Sequence, residues 1–484
     1  MKKTLLLLVT LTVTLFSYAQ TDQQQRAISL VQKNQQAIGL SDADMNKFVV
    51  SDAYDNKTSG TFMVYLQQTH LNIPVYNQIH TLTFKNDRLV YQSGGRIKGL
   101  DKKANNPTGV PAVYAETAVH AALADRKLLP TSPAIVIKSE SNGHYLEFND
   151  MGVSRENITA RLMWLPMENG AVRLAWMVYV IPRNSSDYWL VKVDASNKEV
   201  LGMDNYTVYC NWDAPHGSCD KVHQGAAGHA SNASTSNNIN WLNNAPAPGN
   251  APRIVNGATY RVIPFPAESP SHPGGAHALV TNPWEAAPGP ATSLKWHSDG
   301  TTDYTITRGN NVWAKEDRSG NNSSTGAPAT STTSPDPLTF DFTPNFSVNP
   351  TQSTPVQNQQ FNITNLFYWN NIIHDITYVY GFDEPSGNFQ ANNQGRGGNG
   401  NDFVLADAQD GAGTNNANFA TPPDGGSGRM QMFLWSGTPQ RDGDVDNGIV
   451  THEFAHGISN RLTGGPSQAS CLQNGEQMGE GWSD

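Results

Sequence analysis

Cysteine is scarce in this chain of 484 residues, which has three. Cys210 and Cys219 are close enough to close a small loop in an oxidising compartment. That leaves Cys471, which either has its partner outside this chain or sits as a free buried thiol. Charge is sparse too: Asp, Glu, Lys and Arg make up 15% of the residues, no basic cluster occurs, and the formal net charge is −10. This balance argues against nucleic acid or an anionic membrane as the main partner. Long apolar runs are missing except from Leu5 to Phe16, which is too short to span a bilayer comfortably. With Lys2 and Lys3 before it and Ser17-Tyr18-Ala19 after it, that run reads as a signal peptide over residues 1–19. No other segment looks able to cross a membrane, so the product is expected to be exported, soluble and extracellular.

What the chain has in quantity is Gly (42) and Pro (29), the mark of long, turn-rich loops, over a length that suggests about two to four domains. Its most informative stretch is Thr451-His452-Glu453-Phe454-Ala455-His456-Gly457. On a helix, His452 and His456 share a face one turn apart, so both imidazoles can reach one ion, and zinc suits such a pair. Glu453 lies too far round to ligate that ion but can take a proton from a bound water. Val450, Phe454, Gly457 and Ile458 form an apolar stripe on the other side. A catalytic zinc needs a third protein ligand. Downstream, Gly479-Glu480-Gly481-Trp482-Ser483-Asp484 supplies two carboxylates at i and i+4, one able to bind metal and the other to accept the spare N–H of a ligating histidine.

Thr451 to Gly465, Met478 to Asp484, Arg429 to Trp435, Asn401 to Ala406 and the segment from Phe367 to Gly387 together resemble the fungalysin family of secreted zinc metalloendopeptidases, relatives of the thermolysin-like gluzincins. The resemblance implies zinc held by His452, His456 and Glu480, with Glu453 as the base that activates water and Asp484 orienting a ligand histidine. It implies protein or peptide substrates, and a propeptide of the same chain acting as intramolecular inhibitor. By the same analogy, the strand from Gly428 to Trp435 is the edge along which an extended peptide lies.

Ahead of this part, a Gln-rich helical stretch (20–40) leads into alternating strands at Thr61–Gln67, Ile79–Phe84 and Arg88–Tyr91, with Asn86-Asp87 as a turn. A helix over Pro111–Leu129 and strands at Ala134–Lys138, Ala160–Leu165, Val172–Ile181 and Tyr188–Val193 make a second unit. Residues 220–256, rich in Gly, Ala, Asn and Ser, read as an exposed, protease-sensitive linker. The expected fold class is α+β: two small cystatin-like propeptide units, then a thermolysin-like metallopeptidase domain lacking its C-terminal helical lobe. The expected segments are a signal peptide (1–19), a fungalysin/thermolysin-type propeptide unit (20–105), a second cystatin-like unit (106–205), a linker and processing region (206–257) and the N-terminal part of the catalytic domain (258–484).

Leu366, Trp369, Ile373, Ile376 and Tyr380 mark an amphipathic helix that should pack beneath the site, with His374 beside the stripe in a structural role, as for His297. Asp442, Asp444 and Asp446 mimic the start of a calcium loop, but Asn447 stands where the loop needs Gly, and its twelfth position is Glu453. An EF-hand is rejected, Asp446 or Asn447 caps the zinc helix instead, and a looser Ca2+ site among these acids stays open. Because Asp484 ends the chain within the helix that presents Glu480, the expectation is a fragment of a longer precursor, and inactivity of this piece is one expected outcome. The rival readings are a gluzincin exopeptidase, and a non-catalytic secreted binding protein or inactive fragment.

Overall fold

In the computed structural model, residues 18–183, 185–209, 255–334, 336–350, 357–472 and 478–484 are described. Most of the signal-peptide reading and most of the linker reading, with Cys210 and Cys219, lie outside them.

The described residues open with helix α1 (Tyr18–Lys33) and strands β1 (Phe48–Asn56), β2 (Thr61–His70), β3 (Ile73–Lys85) and β4 (Arg88–Gly94). Leu71-Asn72 and Asn86-Asp87 have positive φ, the conformation of tight hairpin turns whose twist matches that of the strands they join. Ala27, Leu30 and Val31 of α1 lie at helical spacing and bury against Phe62, Val64, Leu66, Leu82 and Phe84. A second layer follows: helix α2 (Ala115–Asp125), then β5 (Val136–Glu140), β6 (Tyr145–Phe148), β7 (Ile158–Pro166), β8 (Val172–Val180), β9 (Trp189–Asp194) and β10 (Val200–Asn205). The α2 face Ala115, Ala118, Val119, Ala122 and Leu123 packs on the sheet around Trp164 and Trp176. Asp194 closes the turn after β9, its Oδ1 accepting from the Ser196 and Asn197 amides at 2.7 and 3.2 Å. A parallel pairing of β3 with β7, Val75 opposite Trp164, joins the two sets of strands in one ten-stranded sheet.

Strand β11 (Thr207–Tyr209) then leaves this sheet for another. Beyond residue 254 come β12 (Ala258–Val262), β13 (Ala278–Thr281), β14 (Val312–Glu316), β15 (Leu338–Phe340), helix α3 (Gln357–Val379), β16 (Val404–Thr414), β17 (Ala417–Ala420), β18 (Arg429–Trp435) and β19 (Arg441–Asp442). Helices α4 (Asn447–Gly464) and α5 (Gly479–Ser483) complete the order. One sheet runs β11-β17-β18-β16-β14, with β19 on β18, and another runs β13-β12-β15. The architecture is α+β, and among the described residues no helix is long and apolar enough to cross a membrane.

The α3 stripe differs from the one the sequence suggests. Leu366, Trp369 and Ile373 are buried, but so are Phe361, Ile363, Phe367, Tyr368, Asn365, Asn370 and Asn371, so the middle of the helix is enclosed on every side. Ile376 and Tyr380, at the far end, face solvent at 36% and 78% exposure. His374 is buried, its Nδ1 2.9 Å from Asp375 and its Nε2 3.0 Å from Gln390. His297 stacks on Phe340 and bonds Tyr260 at 2.7 Å, and burial pushes its pKa down to about 3, so it is neutral and structural.

The two halves of the chain are in direct contact. The Tyr65 hydroxyl donates to the Leu462 carbonyl at 3.0 Å, and Ser467 donates to Asp52 at 2.7 Å. Asn77 and Ser470 exchange two hydrogen bonds, and Asn322 donates to the Ser185 carbonyl at 3.1 Å. Beside these, β11 pairs antiparallel with β17, Val208 opposite Phe419.

Candidate metal centre

Helix α4 starts where the Asp446 carboxylate accepts from the Gly448 and Ile449 amides, satisfying donors that the first turn leaves open. Its apolar side enters the core: Val450 and Phe454 are buried, and a Cβ on Gly457 would stand 2.8 Å from the Phe389 ring. Only a glycine lets the helix come so close to Phe389 and Phe419. At its other end, fully buried Arg461 holds the helix to the loops beside β17. It pairs with Asp402 at 2.7 Å and donates to the carbonyls of Gly387, Pro422 and Gly426.

The face that remains carries the histidines. The rings of His452 and His456 are 4.7 Å apart between centroids and nearly perpendicular. Helix α5 packs across them and brings Glu480 Oε2 within 3.1 Å of His452 Nε2 and 3.7 Å of His456 Nε2. Asp484 Oδ1 lies 2.8 Å from His452 Nδ1, and Ser483 Oγ lies 3.1 Å from His456 Nδ1. Glu453 is fully buried, and its charge favours the protonated form of His452. The five residues singled out in the sequence therefore meet at one place. Ser483 was not among them: it is the last residue of the short helix that Asp484 caps, and nothing in the sequence marks it until His456 is placed against it.

The donor set can be tested against zinc. Ligand distances of about 2.0–2.2 Å in a tetrahedral arrangement put neighbouring donor atoms roughly 3.2–3.6 Å apart. The two distances from Glu480 bracket that range, and all three donors lie within 4.8 Å of one another. Two neutral imidazoles and a carboxylate suit zinc chemically, so these residues fit the ion. Electrostatics separate the two histidines. Burial alone would depress His452, but Glu480, Glu453 and Asp484 outweigh it and its pKa is raised. His456, deeper, is pushed down to about 4 by burial, with a further push from charged His452.

Two other acidic groups deserve comparison. Asp317, Asp407 and Asp410 also bring carboxylate oxygens within 4.8 Å of one another. There, however, Asp407 is held by Lys315 at 2.5 Å and by Arg429, and Asp410 by Gln431 at 2.6 Å. Both cations sit on Asp407, while Asp317 accepts from the Ser319 hydroxyl and the Asn321 and Asn322 amides. Asp442 and Asp444 are buried beside one another at the foot of α4 and belong to no cluster of three candidate ligands among the described residues.

One expectation needs correcting. Strand β18 is an interior strand, flanked by β16 and β17, and cannot offer its main chain along its length to a peptide. The strand beyond it is β17, packed against α4, and its free side is taken by β11 from the N-terminal half. The sequence of β18, with Met430, Met432 and Phe433 all buried, suits either place, since interior and edge strands can carry the same apolar run.

Comparison with known proteins places this geometry in context. Residues 259–484 match the family model described as Fungalysin metallopeptidase. The "Extracellular metalloproteinase 2" of Arthroderma otae is 47% identical over 233 residues, 48% of this chain and 35% of that protein. The "Extracellular metalloproteinase MEP" of Fusarium vanettenii is 35% identical over 446 residues, 90% of this chain and 59% of that protein. The chain thus spans between about a third and three fifths of the length of these relatives. Among solved structures, the Bacillus megaterium YpeB C-terminal domain aligns at a TM-score of 0.20 and 12% identity, over 38% of this chain and 64% of that one, too weakly to bear on the fold.

Proposed function

We propose that this chain, fungalysin-like over residues 259–484, belongs to a secreted zinc-dependent endopeptidase made as a precursor and kept inactive by its own N-terminal half. The observation that carries this reading is the convergence of His452 Nε2, His456 Nε2 and Glu480 Oε2 within coordinating distance, with buried Glu453 beside them. His452, His456 and Glu480 would hold the zinc, which when bound supplies Lewis acidity toward a peptide carbonyl and toward water. Glu453 takes the proton of the attacking water on its carboxylate and delivers it to the nitrogen of the leaving amine. Asp484 accepts the Nδ1–H of His452 and so keeps the Nε2 lone pair facing the ion.

The substrate would lie as an added strand along β17, main chain to main chain. Pairing of β11 with that strand supports inhibition, because a peptide cannot use an edge that is already hydrogen-bonded. On this reading residues 20–105 and 106–205 are the two propeptide units, and cleavage within 206–257 separates them from the catalytic part (258–484). The names of the relatives support an extracellular location.

Metal analysis and casein hydrolysis of wild type and Glu453→Gln, each cut between residues 206 and 257 to lift the inhibition, test the proposal. Both should bind about one zinc, and the variant should lose hydrolysis by roughly 10²- to 10⁴-fold, the range for losing a general base. Unchanged hydrolysis removes Glu453 from this role. Zinc binding with no hydrolysis in a chain cut between 206 and 257 would favour a non-catalytic binding protein.

A further inference from the structure

We infer that Ser483 is the positioning residue for His456, fixing which ring nitrogen faces the metal. This rests on the reading that His452, His456 and Glu480 hold zinc.

The direction of two hydrogen bonds carries the argument. Ser483 Oγ donates its proton to the Gly479 carbonyl at 2.8 Å, the back-bond to residue i−4 that serine forms on a helix. A carbonyl can only accept, so the single hydroxyl proton is committed there. Toward His456 Nδ1, 3.1 Å away, Oγ therefore has only lone pairs to offer, and Nδ1 must carry the hydrogen. His456 is then the tautomer with its lone pair on Nε2, and Nε2 is the nitrogen on the Glu480 side. The chain of donors runs from the imidazole N–H to the serine hydroxyl to the Gly479 carbonyl, with nothing left unsatisfied.

Burial makes the arrangement rigid. His456 is 1% exposed and Ser483 8%, whereas Asp484, the equivalent partner of His452, has a side chain 72% exposed. The Gly479 backbone is in ordinary packing contact with the same ring: a Cβ there would stand 3.9 Å from His456 Nδ1. The choice of a hydroxyl also suits the charge of the site. Glu453, Glu480 and Asp484 already surround the histidines, and a further carboxylate behind His456 would add negative charge in a buried place and dull the acidity of the bound ion. Serine provides the acceptor without the charge.

Zinc affinity of the full chain, measured by competition with a chromophoric chelator, tests the inference. Ser483→Ala should weaken binding by about 10–100-fold, and Ser483→Thr, which keeps the hydroxyl, should return to within roughly 3-fold of wild type. Equal affinity in wild type and the alanine variant overturns the role of Ser483. A wild-type chain that takes up no zinc overturns the metal reading itself, and this inference with it. A second readout needs no metal and no variant. Nitrogen NMR of selectively labelled histidine in the metal-free chain should show His456 with its hydrogen on Nδ1, and a hydrogen on Nε2 overturns the proposal even where the alanine variant does not fold.

Discussion

Asp444 is a carboxyl whose chemistry and surroundings are at odds. It is fully buried, and Asp442, another carboxyl, lies within hydrogen-bonding reach of it. Burial pushes both carboxyls up, Asp442 to about 6 and Asp444 well above its ordinary 3.8, the latter further through repulsion by Asp442. Two such groups without a cation share a proton. Because their folded pKa values lie above the unfolded ones, the pair contributes stability that is complete below about pH 4 and is lost as pH rises through about 6. Asp444→Asn, which mimics the protonated acid, should therefore raise the melting temperature relative to wild type at about pH 8, with the gap closing toward about pH 4. If the pair instead bound Ca2+, the same variant would melt lower than wild type in the presence of calcium. The active-site prediction belongs to this scale too: Glu453 could be named from its place between two histidines, whereas Ser483 could not, because a serine on a helix surface has no signature until a ring is placed against it.

Among the elements, β11 and β17 carry the proposed inhibition. Each is short, Thr207–Tyr209 and Ala417–Ala420, and their pairing is antiparallel in consecutive register. Val208→Pro removes a backbone donor and stiffens the strand against the ladder. On the proposed mechanism, peptide hydrolysis by the uncleaved chain should rise by roughly tenfold, the effect of losing one or two backbone hydrogen bonds at about 0.5–1.5 kcal/mol each. A rate equal to wild type would mean that β11 does not obstruct the substrate edge. Helix α4 belongs to this scale as well. Its capping aspartate, its histidine spacing and its apolar stripe all follow from periodicity and end chemistry, which act over a single turn.

At the scale of the whole molecule, the halves are held by separated contacts: Tyr65 on Leu462, Asp52 on Ser467, Asn77 on Ser470, Ser185 on Asn322, and β11 on β17. Cutting the chain between residues 210 and 254 with an added protease should therefore leave two pieces that co-elute in gel filtration and part only in denaturant. Two separate peaks under native conditions would mean that these contacts are too weak to act as an intramolecular lock. Most of these hydrogen bonds are partly buried, so breaking them without a replacement partner carries a cost.

What the sequence determined by itself was local. Spacing at i and i+4 put His452 with His456 and Glu480 with Asp484, turn residues such as Asn86-Asp87 ended strands, and alternation marked β2 and β3, because side-chain direction along a helix or strand follows from backbone geometry alone. What only the tertiary structure decided was long-range. It set β3 beside β7, β17 rather than β18 as the strand next to the N-terminal half, α3 enclosed on all sides, and Ser483 behind His456. Strand pairing and helix packing join residues far apart in the chain through main-chain groups and shape that every residue type shares, so no local pattern can announce them.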